Sequence, residues 1–213
     1  MQLSLAEEIL AKVQCARLVG IVFHRRPDPD SLGAGAAFAA LLDHHRIPYR
    51  YYCPTELPET APLFGIDARK TFDTRQIARG GVDIICTFDA GDLKMAGLEA
   101  SAYPFIINFD HHSTNTQFGN LNVVEVSCAS TTELIYHFLL ALRFPISART
   151  ATALLAGVLH DTDYFLNPAT SASSLEMAGE LLRRGIALTS LRALLFERRG
   201  IGALQLIGQV LGR

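Results

Sequence analysis

The stretch "RLVGIVFHRRPDPDSLGAGAAFAALLDHH", residues 17–45, decides the fold class. Its first part, 17–23, is a nearly continuous apolar run, which is typical of a strand in a parallel sheet covered on both faces. The part at 31–45 is rich in alanine and glycine, and it predicts a helix whose small side chains permit close packing. A buried strand, a polar loop and a helix in succession indicate an α/β domain.

The rest of the chain continues this alternation. Short apolar runs predict three more strands, at 47–53, 82–88 and 103–109. Apolar residues at helical spacing predict four more helices, at 1–13, 129–142, 147–159 and 171–184. We therefore expect an α/β fold with a mostly parallel sheet flanked by helices on both faces. A further helical pattern at 191–213 predicts a C-terminal helical arm or a linker.

Composition excludes several classes of protein. The 213 residues are 49% hydrophobic and 19% charged, which fits a compact globular enzyme and argues against disorder. The net charge of -2 provides no basic surface, so we expect no binding to duplex DNA. The apolar runs are too short to span a bilayer and the N-terminus does not resemble a signal peptide, so we expect a cytoplasmic protein without a membrane partner.

The four cysteines give no sign of a metal or disulfide framework. They are widely spaced and form no CxxC pair. We therefore expect reduced, mostly buried thiols and no zinc site.

Polar side chains follow the predicted strands at the points where those strands end. Ligands of open parallel sheets bind at this edge, because loops and helix N-termini converge there. A fourth polar cluster follows the predicted helix at 147–159. The clusters contain His24, Asp28 and Asp30; Asp89 and Asp92; Asp110, His111 and His112; and His160, Asp161 and Asp163.

Taken alone, the segment "NFDHHSTN" at 108–115 is as compatible with a solvated polar loop as with a metal or phosphoryl-transfer site. Four converging clusters favour the metal site, because crowded carboxylates repel one another unless a cation compensates them. Carboxylates mixed with imidazoles favour Mn²⁺, with Mg²⁺, Fe²⁺ and Co²⁺ as alternatives. Two ions about 3.5 to 4 Å apart, bridged by one carboxylate, would suit hydrolysis of a phosphoester or phosphoanhydride.

The clusters, in this order, resemble the motifs of the DHH phosphoesterase superfamily. The motif segments are "HRRPDPDSLGA", "FDAGD", "NFDHH" and "GVLHDTDYF". The segments "CASTTELIYHFL" and "NPATSASSLEMAGELLRRGI" are similar to the branch that contains nano-RNases, pAp phosphatases and cyclic-di-AMP-type phosphodiesterases. The resemblance implies a DHH catalytic domain at 1–190. Many members carry a C-terminal substrate-binding domain, DHHA1, and no segment here matches it.

The resemblance also implies roles for individual residues. One Mn²⁺ would be bound by His24, Asp28 and Asp89, and the other by Asp30, Asp89, His111 and Asp161. Asp89 would then bridge the two ions, with Mg²⁺ or Co²⁺ as alternative metals. His112 would contact the scissile phosphate, so that Asp89 and His112 are the expected catalytic residues, and Asp110 would orient its neighbours.

The expected function is metal-dependent hydrolysis of small nucleotides by a water that two metals activate. The substrates would be short single-stranded oligoribonucleotides, pAp or cyclic dinucleotides. One alternative is an inorganic pyrophosphatase or exopolyphosphatase, and another is an inactive metal-binding domain that lacks its substrate half. The sequence leaves the oligomeric state open, a homodimer included. His137 is expected to be a structural residue, whereas His160 could either approach the site or cap a helix.

Overall fold

The computed structural model describes residues 2–98, 103, 105–186, 189 and 191. These residues form one six-stranded sheet. The strands are β1 (Val19–Phe23), β2 (Tyr49–Tyr52), β3 (Thr71–Phe72), β4 (Ile84–Phe88), β5 (Phe105–Asp110) and β6 (Leu121–Val124). They are ordered β3-β2-β1-β4-β5-β6, and every neighbouring pair is parallel. The predicted α/β fold with a parallel sheet is confirmed.

In the described part of the chain, five α-helices of at least eleven residues accompany the sheet. They are α1 (Leu3–Gln14), α2 (Pro29–His44), α3 (Thr131–Ala141), α4 (Ala148–Asp161) and α5 (Ala172–Leu182). Three short 3₁₀ helices follow β2, at Ala61–Phe64, Ala68–Lys70 and Thr74–Arg79. None of the described helices combines the length and apolar composition needed to cross a bilayer. Of the helical arm predicted at 191–213, residues 192–213 lie outside the described residues.

The central strands are buried on both faces. On one face, Phe88 and Phe109 stack with ring centroids 5.3 Å apart, and Phe38 of α2 packs against both rings. This face belongs to the large core that the five α-helices cover. On the other face, a smaller core contains Ile85 of β4 and Ile77 of the last 3₁₀ helix. Continuous apolar runs were therefore the right signature of these strands.

The order of the strands places a crevice between β1 and β4. From β1 the chain proceeds through α2 to β2 on one side, whereas β4 leads to β5 on the other side. Because such crossovers are right-handed, their connections cover opposite faces of the sheet. The crevice opens at the carboxyl ends of β1 and β4, and ligands of doubly wound sheets bind at this switch point. His24 and Asp89 directly follow these two strands.

Strands β3 and β6 were not predicted from the sequence. They contain two and four residues and form the two edges of the sheet. So few residues, partly exposed, show neither a continuous apolar run nor a clear alternation.

Close contact between α2 and α4 depends on Gly33. A Cβ atom at this position would lie 2.4 Å from the backbone oxygen of Ala153 and 3.0 Å from Cγ2 of Thr132. The backbone oxygen cannot rotate away, so an added methyl group would have to push the two helices apart. The small residues predicted to permit close packing are therefore needed at this crossing.

We expect Gly33→Ala to lower the free energy of unfolding. Overpacking a tight core costs about 1 to 3 kcal/mol, which exceeds the gain of about 1 kcal/mol from the helix propensity of alanine. The net loss should be measurable by urea denaturation. Gly179→Ala in α5 is the matched control, because among the described residues its Cβ would meet only the end of the Arg183 side chain, at 3.9 Å. Equal stability of the two variants would contradict the packing argument.

Candidate metal centre

The structure brings the six predicted metal ligands together at the carboxyl edge of the sheet. They form two groups that share Asp89, and in each group one ligand atom per residue lies within 4.8 Å of the others. The first group contains His24, Asp28 and Asp89, and the second contains Asp30, Asp89, His111 and Asp161. The loops after β1, β4 and β5, the first turn of α2 and the end of α4 supply these residues.

His24 is fixed in an orientation that suits a metal ligand. Its Nδ1 lies 2.8 Å from the backbone oxygen of Arg25, which can only accept a hydrogen bond, so Nδ1 carries a proton. Its Nε2 lies 3.3 Å from Oδ2 of Asp89 and 3.6 Å from Oδ1 of Asp28. This Nε2 is buried without a hydrogen-bond partner. A backbone carbonyl that holds Nδ1–H and leaves Nε2 toward carboxylates is the usual arrangement of a ligating histidine.

His111 repeats this arrangement in the second group. Its Nδ1 lies 3.3 Å from the backbone oxygen of Cys128. Its Nε2 lies 3.2 Å from Oδ2 of Asp161 and 3.7 Å from Oδ1 of Asp89, and it too is buried without a hydrogen-bond partner. Each group therefore has one imidazole nitrogen without a hydrogen-bond partner among the described residues.

The carboxylates create a field that attracts cations. Burial lowers the pKa of His24, but Asp28 and Asp89 outweigh it and raise the pKa to about 10. Burial also lowers the pKa of His111, but the neighbouring carboxylates, Asp161 first, raise it to about 9. The imidazoles thus attract protons because the surrounding negative charge is in excess. A divalent ion at the same place would compensate this charge more fully.

Asp89 lies at the centre of the site. Its side chain is almost completely buried, and one carboxylate oxygen faces each group: Oδ2 faces His24 and Oδ1 faces His111. Its backbone φ is +58°, a left-handed conformation that is uncommon for a residue other than glycine. The hydroxyl of Thr131 donates to Oδ1 at 3.2 Å. This geometry matches the carboxylate that would bridge two ions.

Asp30 is held by the N-terminus of α3, a contact that the sequence analysis missed. Its Oδ2 accepts from the backbone N–H of Thr131 at 2.7 Å, and its Oδ1 accepts from the N–H and the hydroxyl of Thr132 at 2.9 and 2.6 Å. Burial and repulsion from Asp161 and Asp89 raise the pKa of Asp30, whereas the neighbouring His111 lowers it. The helix start after Ser130 was a recognisable capping pattern, but its distant partner was not.

Asp110 belongs to neither of the two ligand groups and bonds the residues that follow it. Its Oδ1 accepts from Nδ1 of His112 at 2.8 Å and from the N–H of His111 at 2.9 Å, and its Oδ2 accepts from Nδ2 of Asn115 at 2.6 Å. This fully buried carboxylate fixes both histidines. The His112 side chain is 43% exposed, and Nδ1 lies 3.5 Å from Oδ1 of Asp89. The Nε2 of His112 is therefore available to a ligand bound beside Asp89.

The remaining polar residues of the clusters divide into two sets. His160 approaches the site, with Nε2 3.8 Å from Oδ2 of Asp28, so the first of its two interpretations is correct. Asp92 instead accepts from the N–H of Met95 at 2.6 Å, within its own turn. Asp163 is exposed and begins three consecutive residues with positive φ.

The donors of the two groups suit a hard or intermediate divalent ion. They comprise four carboxylates and two imidazoles, without a thiolate. Such sets bind Mn²⁺, Mg²⁺, Fe²⁺ or Co²⁺. The two unsatisfied imidazole nitrogens are the observation that makes the residues fit metal ions.

Several curated proteins are similar to this chain. It is 29% identical over 177 residues to the probable bifunctional oligoribonuclease and PAP phosphatase NrnA of Streptococcus mutans, covering 82% of this chain and 55% of that protein. It is 29% identical over 211 residues to the bifunctional oligoribonuclease and PAP phosphatase NrnA of Thermus thermophilus, covering 99% and 62%. The Bacillus subtilis protein of the same name is 27% identical, covering 84% and 58%. The chain thus spans less than two-thirds of these relatives.

Solved structures share the fold. An exopolyphosphatase-related protein from Bacteroides fragilis superposes with a TM-score of 0.84 at 21% identity, covering 99% of this chain and 65% of that one. A putative family II inorganic pyrophosphatase from Methanococcus jannaschii superposes with a TM-score of 0.64 at 22% identity, covering 82% and 61%. At these identities the likeness concerns the fold alone.

A family model decides the membership. The model of the DHH family, N-terminal domain, matches residues 18–158, which is more than half of the chain and includes the ends of β1, β4 and β5. Together with the two ligand groups that meet at Asp89, this match shows that the chain belongs to the DHH family.

Proposed function

We propose that this protein is a metal-dependent phosphohydrolase that acts on small nucleotides. The observation that carries the proposal is the pair of ligand groups sharing Asp89, each with a buried imidazole nitrogen that lacks a protein partner. The proposed substrates are short oligoribonucleotides, pAp or cyclic dinucleotides. The names of the relatives, oligoribonuclease and PAP phosphatase, support the first two.

The two groups would hold two divalent ions, Mn²⁺ in the first instance, with Mg²⁺ or Co²⁺ as alternatives. Such a pair of ions would lower the pKa of a bound water, so that hydroxide would be available near neutral pH to attack phosphorus. His24 and Asp28 would hold one ion, and Asp30, His111 and Asp161 the other. Asp89 would bind both, because its two oxygens face different groups.

His112 would bind the phosphate that is attacked. Asp110 accepts from Nδ1 and, with Asp89, raises the pKa of His112, so that the protonated ring can also donate from Nε2 to a phosphoryl oxygen beside Asp89. A donor that is oriented before the reaction stabilises the charge that develops in the transition state. His112 and Asp89 are therefore the proposed catalytic residues, and Asp110 is a positioning residue.

The inorganic pyrophosphatase alternative has weaker support. The pyrophosphatase-like structure is similar in fold at only 22% identity. The relatives that are 27 to 29% identical are named for nucleotide substrates. Nucleotide hydrolysis is thus the better proposal.

A substrate panel tests the proposal. With Mn²⁺ present, the protein should release phosphate from pAp or shorten RNA dinucleotides, and a chelator should abolish this activity because the ions generate the nucleophile. Phosphate release and chromatography of the products are the measurements. Turnover of pyrophosphate alone would favour the alternative. Binding of Mn²⁺ without turnover of any substrate would indicate an inactive metal-binding domain.

Asp89→Asn should weaken binding of both ions, since it removes charge from both groups. Outer partners of ligands typically contribute about 10- to 100-fold to affinity or activity, so the loss at a direct shared ligand should be at least about 100-fold. Calorimetric titration with Mn²⁺ and turnover measure this. Asp92→Asn is the control, because an asparagine oxygen can still accept from Met95. Unchanged metal affinity in Asp89→Asn would contradict the bridging role.

His112→Ala should separate metal binding from catalysis. Loss of one oriented donor to the developing charge costs about 10²- to 10³-fold in kcat, whereas affinity for Mn²⁺ should stay near that of the unmodified protein. Steady-state kinetics and calorimetry measure the two quantities. A large loss of Mn²⁺ affinity with little change in kcat would assign His112 to the metal instead.

A further inference from the structure

A second cluster of metal-binding side chains lies at the start of α3. Glu133 and His137 are four residues apart on this helix and therefore share a face, and Cys128 precedes the helix. One carboxylate oxygen, one imidazole nitrogen and the sulfur lie within 4.8 Å of one another. All three residues lie in the segment "CASTTELIYHFL", at 128–139, but the proposed function does not use this cluster. We infer that Cys128, Glu133 and His137 form a zinc site that is separate from the groups around Asp89.

The distance between Glu133 and His137 suits a tetrahedral ion. The Oε1 of Glu133 lies 3.6 Å from Nε2 of His137, and both atoms contact the hydroxyl of Ser173, at 2.5 and 3.2 Å. Zinc would take the place of the hydrogen bond between His137 and Ser173. In a tetrahedral site with zinc–nitrogen and zinc–oxygen bonds of about 2.0 to 2.2 Å, two ligand atoms lie about 3.3 to 3.6 Å apart. The two donors are therefore already placed near the separation that one shared zinc ion requires.

Glu133 is a buried carboxylate with capacity for a metal. Its side chain is 1% exposed. The N–H of Ala129 donates to Oε2 at 2.7 Å, and the hydroxyl of Ser173 donates to Oε1 at 2.5 Å. These bonds orient the carboxylate, and each oxygen keeps a second acceptor position. Among the described side chains, its ion-pair partner is His137. A buried carboxylate of this kind is stabilised by a cation.

The thiol of Cys128 indicates which metal ion the site would prefer. The four cysteines are free, and Cys128 is buried. Burial and the charge of Glu133 raise the pKa of Cys128 to about 12, so the unliganded thiol is neutral and unreactive. A bound divalent ion reverses this and deprotonates a coordinating thiol. Thiolate and imidazole donors favour zinc over Mn²⁺ and Mg²⁺, whereas the oxygen-rich groups around Asp89 have the opposite preference.

The cluster is accessible from a cavity. A space of about 750 Å³ lies between β6 and the beginnings of α1, α3 and α5, and Cys128, Glu133 and His137 all line it. Three protein ligands leave the fourth position of a tetrahedral ion open toward this cavity. Water or a small ligand would occupy that position, as in zinc sites with three protein ligands.

A backbone carbonyl connects the inferred site to a proposed ligand of the Asp89 groups. The oxygen of Cys128 faces Nδ1 of His111 at 3.3 Å, while its sulfur belongs to the second cluster. Zinc would thereby fix the turn between β6 and α3 and, with it, the carbonyl that orients His111. The zinc ion would stabilise the proposed catalytic site without taking part in its chemistry.

Titration with Co²⁺ under reducing conditions tests this inference, since cobalt bound to a thiolate shows an intense ligand-to-metal charge-transfer band. The protein should develop this band with one equivalent of Co²⁺ bound at the site, and zinc should remove it whereas Mn²⁺ should not. Cys128→Ser should lose the band. Cys15→Ser, which removes the exposed thiol, should keep it. Absence of the band from the unmodified protein, or its survival in Cys128→Ser, would overturn the inference.

Two further variants make the result independent of misfolding and of the proposed function. His137→Ala leaves all four thiols in place, and it should lower zinc affinity by more than the roughly 10- to 100-fold that an outer partner contributes. Unchanged affinity in a folded His137→Ala protein would also refute the site. Asp89→Asn should keep the cobalt–thiolate band even though the Asp89 groups are impaired. Loss of the band there would show that the thiolate belongs to the Asp89 centre and not to a separate site.

Discussion

Repulsion among buried carboxylates at the carboxyl edge of the sheet is the constraint on which this structure depends. Asp28, Asp30, Asp89 and Asp161 lie within two ligand groups that share a single carboxylate. Such crowding is tolerable only where protons, hydrogen bonds or cations compensate the charge. The fold supplies part of this compensation through the start of α3, which donates three hydrogen bonds to Asp30. Nε2 of His24 and Nε2 of His111 have no hydrogen-bond partner among the described residues. At these two places a cation would compensate the remaining negative charge.

The hydrophobic core holds this arrangement in place. The stacked rings of Phe88 and Phe109 directly precede Asp89 and Asp110, so the aromatic cluster with Phe38 lies beneath the loops that carry the site. The close crossing of α2 and α4 fixes the loops from the side. A Cβ at Gly157 would lie 2.8 Å from Oδ1 of Asp30, so the glycine lets α4 pass beside that carboxylate. The packing of α2 against α4 therefore also determines the space available to the carboxylate of Asp30.

The groups around Asp89 and the cluster at the start of α3 would differ in the metal ion that each prefers. The groups around Asp89 offer oxygen and nitrogen, whereas the cluster at the start of α3 adds the sulfur of Cys128. Hard ions favour the first set and zinc favours the second. The backbone of Cys128 contacts His111, so an ion in either cluster would stiffen the same turn. The match to the DHH family covers residues 18–158, which include the three residues of the second cluster.

The sequence by itself determined the α/β class, the four central strands and the residues that reach the carboxyl edge, because continuous apolar runs and the polar residues after them are local signals. The resemblance to the DHH superfamily then assigned those residues to two ions. Only the tertiary structure decided that Asp30 meets Thr131 and Thr132, that Asp110 turns toward Asn115, and that Cys128 meets His137. These contacts depend on how separate segments pack, and a spacing along the chain does not record that. The short edge strands β3 and β6 escaped prediction for a related reason, since pairing with a neighbouring strand, and not their own composition, makes them strands.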